Sequence, residues 1–233
     1  MSLISTKKAN IINEIEKSIV RSDIVDGYYS SATFTYNKST FTITSDVYDN
    51  AGNRTGSCIT KNGKPYRGSI VSNGRYRNLS LGNGASLMEH QLLAVCLIPG
   101  ATAKLLDKEE NNIINHKVIA SKSLEARQAH YDDLKYWSDC YINGRLDEYD
   151  KNRFYNKAYQ PPCDVRDLEI CTSAENVAHG ALIKTFNLYD TSISAKDVPL
   201  LKQYLINEKQ VAYTMDLYMN HGADVMLSML RGC

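Results

Sequence analysis

The chain has 233 residues, with 27 Lys and Arg against 26 Asp and Glu, a net charge of +1 at pH 7 and 43% hydrophobic residues. That length suits one large or two small domains, and the even charge balance excludes a chain that is basic or acidic as a whole. No apolar stretch approaches ~18 residues, so no membrane span is predicted, and six cysteines without a Cys-x-x-Cys spacing or a signal peptide read as reduced thiols in the cytoplasm.

In chain order, residues 5–21 place Ile11, Ile12, Ile15, Ile19 and Val20 at helical spacing, and Asp26-Gly27 ends that element. Residues 28–81 turn to short β runs at 33–36, 41–44, 69–71 and 76–81. Turns at Asn50-Ala51-Gly52, Asn62-Gly63, Asn73-Gly74 and Gly82-Asn83-Gly84 punctuate them. Between Arg54 and Lys104 the charges are Arg54, Lys61, Lys64, Arg67, Arg75, Arg77 and Lys104, against Glu89 alone. With Tyr66 and Tyr76 interleaved, this stretch has the electrostatic footprint of a phosphate-backbone surface. Solvated hairpin edges use the same residues to block edge pairing.

Residues 87–97 form an apolar run compatible with a buried helix or strand, which Pro99-Gly100 breaks. Ile113-Ile114-Asn115-His116 is a short apolar strand closed by a histidine. Residues 120–163 read as mostly helical, with Leu124, Tyr131, Leu134 and Trp137 on one face. A second strand-like stretch starts at Asp167-Leu168-Glu169. It passes through a capping box at Thr172 and Glu175 into a helix whose Asn176 and His179, three apart, share a face. The tail, with Leu200, Leu201, Tyr204 and Leu205 on one helix, a run at 211–219, a turn at Asn220-His221-Gly222 and a last helix at 223–230, has the outline of a helix-turn-helix. Any three-helix bundle shares that outline.

Taken in order, Asn73 to Leu81, Glu89-His90-Gln91-Leu92-Leu93-Ala94, Asn115-His116, Asp167-Leu168-Glu169 and Thr172 to Asn176 resemble the HNH homing endonucleases of phages and mobile introns. The segment Tyr48-Asp49-Asn50-Ala51-Gly52-Asn53-Arg54 is similar to the β-turn of the small module that precedes such domains. The resemblance spans roughly residues 45–185. It implies an α+β protein with a ββα-metal core, a small antiparallel β module before it, a helical insertion at about 120–163 and C-terminal helices. The corresponding divisions are 1–44, an N-terminal helix and hairpin; 45–186, the nuclease-like domain; and 187–233, the helical tail.

For function, the resemblance implies a DNA endonuclease or nickase acting on double-stranded DNA with Mg²⁺ or Mn²⁺. His116 would be the general base and Asn115 a metal ligand, with Asn176 or His179 the second ligand from the helix. His90 would support the site from behind, and helix after His90 is favoured over strand. Two departures stand out. Asp167 occupies the place of the family's middle Asn, where it would hold the loop that aims His116 or add a negative charge. Lys117 to Ser121 replaces the Asp-Gly-Asn segment that usually follows the histidine. The alternatives are a non-catalytic DNA-binding protein on the same scaffold, and a phage protein that inhibits a host protein through the helical insertion. A phage-encoded chain would work in the host cytoplasm.

Overall fold

The computed structural model describes residues 4–48, 54–71, 76–118, 164–185, 188, 192–204, 214, 217, 220–221 and 225–229. The helical reading of 120–163 lies outside them, as does most of the helix-turn-helix reading of the tail. The fold is mixed α+β, with several antiparallel sheets and helices around them.

Ser5 caps helix α1 (Thr6–Glu16) by accepting the Lys8 amide at 3.4 Å. The helix buries Ile11, Ile12 and Ile15 but stops at Glu16 rather than at residue 21. Ser18 turns the chain by donating to the Thr35 carbonyl. The β-branched Val20 then enters a short edge strand, β1 (Val20–Arg21), with its side chain outward.

Strands β2 (Ile24–Val25) and β3 (Tyr28–Tyr29) pair as a small hairpin across Asp26-Gly27. A five-stranded antiparallel sheet then joins β1 to β4 (Ser31–Tyr36), β5 (Ser39–Tyr48), β6 (Arg54–Lys61) and β7 (Lys64–Pro65), in the order β1-β4-β5-β6-β7. Alternation puts Ala32, Phe34, Phe41 and Ile43 inside. Phe34 and Phe41 sit opposite each other and stack at 5.1 Å. Asn62 and Gly63 both take positive φ, the conformation of a two-residue hairpin turn.

A second, three-stranded sheet is ordered β10-β9-β8, from β8 (Ser69–Val71), β9 (Tyr76–Gly82) and β10 (Ala85–Met88). Gly68, at φ +63°, leads into it. A Cβ there would lie 2.2 Å from the Asn78 carbonyl oxygen, so only glycine lets the two backbones meet. Helix α2 (Glu89–Leu97) follows and is buried along almost its whole length. Such a helix has no solvent face; it is the central post of the core. Gly100 then starts the short helix α3 (Ala101–Leu106).

Strand β11 (Asn112–His116) pairs antiparallel with β12 (Leu168–Thr172), so residues 117–167 connect two adjacent strands. Helix α4 (Ser173–Thr185) begins immediately after β12. Thr172 caps it: its hydroxyl accepts the Glu175 amide at 3.2 Å, while the Glu175 carboxylate accepts the Thr172 amide at 2.7 Å. That is the reciprocal capping box the sequence predicts.

One apolar core runs from Ile4 through both sheets and α2 to Val165, Leu168 and Ile170. The boundary expected at 44/45 falls inside β5, and the core crosses it without a break. Polar contacts also join the first sheet and the β2–β3 turn to the chain leading into β12. Ser57 Oγ accepts the Val165 amide at 3.0 Å, and the Arg166 guanidinium reaches Asp26 and Asp46 at 3.1 and 3.2 Å. A second cluster gathers Leu182 and Ile183 of α4 with Ile193, with Val198 and Leu201 of α5 (Val198–Tyr204), and with Met226 and Leu227 near the C-terminus. Among the described residues no helix is long and apolar enough to cross a membrane.

Candidate functional site

His116 closes β11 with its side chain half-buried. Two rings flank it: His90 from α2 at 5.2 Å between centroids and Tyr76 from β9 at 6.1 Å. Tyr76 and His90 also touch each other, at 5.3 Å. The histidine expected to support His116 is therefore packed against it. Burial pushes the His90 imidazole down to about 3, with the neighbouring charges of His116 and Lys8 acting in the same direction. His90 is thus a neutral ring throughout the physiological range.

Asn115, one residue earlier, points the other way and is 2% exposed. Its Nδ2 donates to Glu169 Oε1 at 2.7 Å. The Lys117 amide donates to the Asp167 carbonyl at 2.8 Å, so Asp167 holds the chain just after His116 through its backbone. A carbonyl does that equally well from Asp or Asn.

On α4, Asn176 is half-buried and His179 fully buried. Burial lowers the His179 pKa, against the Glu169 charge and the backbone of Ile193 and of Lys117, which raise it. The nearness of Lys117 means that α4 folds back over the His116 end of the hairpin. Neither ring nitrogen of His179 has a partner at hydrogen-bond geometry, and the side chain has no exposed surface. Of the two ligand candidates on α4, Asn176 is the one with access to solvent.

Among the described residues no group of three or more His, Cys, Asp and Glu is placed to hold a metal. Burial and two nearby glutamates, Glu169 and Glu175, push the Cys171 thiol up to about 12, so it is a protonated, buried thiol at neutral pH. The candidates for holding a cation at this end of the hairpin are the amides of Asn115 and Asn176. Asn115 fits that role in one respect: a carboxylate only accepts hydrogen bonds, so the prong resting on Glu169 is the NH₂ and the carbonyl prong faces away.

The basic residues divide. Lys61 lies over the rings of Phe41 and Tyr66, at 5.4 and 5.2 Å, and Lys64 is exposed on β7. Arg67 is half-buried at the approach to β8. Arg54 starts β6, while Arg75 lies outside the described residues. Arg77 corrects the expectation of a DNA-facing residue: it is 3% exposed and pairs with the equally buried Glu89, at 3.7 Å. A guanidinium held there cannot reach a phosphate backbone.

Glu169 and Tyr76 contact Asn115 and His116, a placement the sequence alone does not give. The signal for Glu169 is a single charge between apolar neighbours in β12, directly across the ladder from Asn115.

His90 and His179 give stability a predictable acid dependence. Their pKa values are depressed in the folded protein, so the unfolded chain takes up protons that the folded one refuses. Stability is therefore retained above the ordinary histidine pKa near ~6.5 and declines as pH falls from there toward the folded value. For His90 the loss between about pH 6.5 and pH 4.5 should be roughly 2–3 kcal/mol. Urea unfolding at both pH values, on wild type and His90→Phe, measures it. An equal decline in the variant would place the dependence elsewhere.

No family model, no curated protein and no solved structure matches this chain.

Proposed function

We propose that this chain is a metal-dependent DNA endonuclease or nickase of the HNH type. The observation that carries the reading is the antiparallel β11–β12 hairpin running without a linker into α4, with Asn115-His116 at one strand end and Asn176 on the helix. This order supports the ββα arrangement that the sequence resemblance implies, and it comes from pairing two strands that stand far apart in the chain.

In this reading His116 takes the proton from an attacking water, for which its half-exposed position leaves room. His90 and Tyr76 limit the ring's swing. Asn115 and Asn176 would hold Mg²⁺ or Mn²⁺, hard cations that accept amide oxygens. When bound, such an ion supplies positive charge against the phosphate and the departing 3′ oxygen. Lys61 and Lys64 would contact the DNA backbone. Asp167 contributes through its carbonyl, with its carboxylate a candidate for added negative charge.

The test is a supercoiled plasmid incubated with the purified chain and Mg²⁺, Mn²⁺ or EDTA. Nicked or linear product with either metal and none with EDTA is the expected result. Salt-sensitive DNA binding without any cleavage would instead leave a binding protein on this scaffold.

A further inference from the structure

Glu169 stands between Leu168 and Ile170, both buried, in a strand that has no other charged residue. It is Asn115's direct partner in the β11–β12 register. Its Oε1 accepts Asn115 Nδ2 and the Ala195 amide, each at 2.7 Å, and its Oε2 accepts the Ser194 hydroxyl. All three partners are neutral donors. The carboxylate thus directs its charge at an asparagine amide and at the start of the short helical turn Ala195–Asp197.

An asparagine amide has two prongs of nearly equal size and opposite electrostatic character. A cation accepts the oxygen and is repelled by the NH₂ group. Left to rotate, Asn115 could present either. We propose that Glu169 is a positioning residue that locks the Asn115 amide with its oxygen free for a divalent cation and, through a charge-assisted bond to the NH₂, makes that oxygen the stronger donor. A carboxylate behind a ligand does both things in well-built metal sites, fixing orientation and raising ligand basicity. The need is acute here, because the candidate ligands Asn115 and Asn176 carry no charge of their own. This inference rests on the reading of Asn115 as a metal ligand.

The competing account is that Glu169 only clamps residues 194–195 onto the hairpin. The two roles separate by substitution. Glu169→Ala removes both, Glu169→Gln keeps an acceptor for the amide but loses the charge, and Ser194→Ala weakens the clamp while leaving Asn115 engaged. The measurement is Mn²⁺ binding to the full chain without DNA, followed by electron paramagnetic resonance, with circular dichroism to establish that each variant is folded. Glu169→Ala should weaken Mn²⁺ binding about 10- to 100-fold, Glu169→Gln by less, and Ser194→Ala not at all. Should Glu169→Ala fail to fold, the Gln and Ser194 variants still decide. Wild-type affinity in Glu169→Gln and in any folded Glu169→Ala protein, or a loss in Ser194→Ala matching that of the Glu169 variants, would overturn the positioning role. If the wild type itself takes up no Mn²⁺ at millimolar concentration, the reading of Asn115 as a ligand falls, and this inference falls with it.

Discussion

Alanine in place of His116 is expected to lower metal-dependent DNA nicking by about 10²–10⁴-fold, the usual cost of losing a general base. The side chain sits half-exposed at the end of β11, so its removal leaves the hairpin and the core beneath it in place. The ring cluster sharpens the expectation. A base must carry a positive charge once it has taken a proton, and a charged neighbour would oppose that. His90, 5.2 Å away, is held neutral by burial and adds no such charge. In the proposed reading it braces His116 without competing for its proton. His90→Phe should therefore keep most of the activity, whereas His116→Ala should not. DNA affinity, measured in Ca²⁺ to prevent turnover, should be the same in His116→Ala and wild type. An unimpaired, folded His116→Ala protein would remove His116 from the mechanism.

Much of this fold is legible locally. The Asn62-Gly63 turn is readable because a two-residue hairpin needs positive φ at both positions, which this pair adopts at +52° and +74°. The Thr172–Glu175 cap is readable because its chemistry is complete within four residues. Pairing is not. Nothing local says that His116 lies opposite Leu168, and only the order of the motifs along the chain hints at it. Helical spacing overruns the first helix because Ile19 and Val20 fit a helical face, although pairing with β4 claims Val20 as a strand residue. Glu169 passes for one letter of a motif, since its partner on β11 is identified only once the register is known. In each miss a nonlocal interaction decides the outcome.

Arg77 makes the sharpest case, and its replacement should have the largest effect on stability. The stretch from Tyr76 to Leu81 alternates, so Arg77 shares a face with Leu79 and Leu81, both fully buried. Period two alone points the arginine inward; the positive charge invites the opposite reading. Inside, the carboxylate of Glu89, at the first turn of α2, lies 3.7 Å from Arg77 Nε, and both side chains are 4% exposed. Arg77 Nη1 also reaches the Arg67 carbonyl at 3.5 Å. Arg77→Ala takes the guanidinium away from a buried carboxylate, a change that costs about 3–5 kcal/mol when one member of a buried pair is removed. Arg77→Met combined with Glu89→Gln removes both charges and should be less destabilised than Arg77→Met alone, as urea denaturation will show. If the chain binds DNA as proposed, the consequence also differs from that of a surface arginine. Where Arg77→Met remains folded, the slope of log K against log salt should be unchanged, while Lys61→Ala with Lys64→Ala should flatten it by roughly 0.9 for each phosphate no longer neutralised. A stable Arg77→Met protein with a flattened slope would mean that this side chain faces DNA in solution, and the buried pair with Glu89 would have to be abandoned.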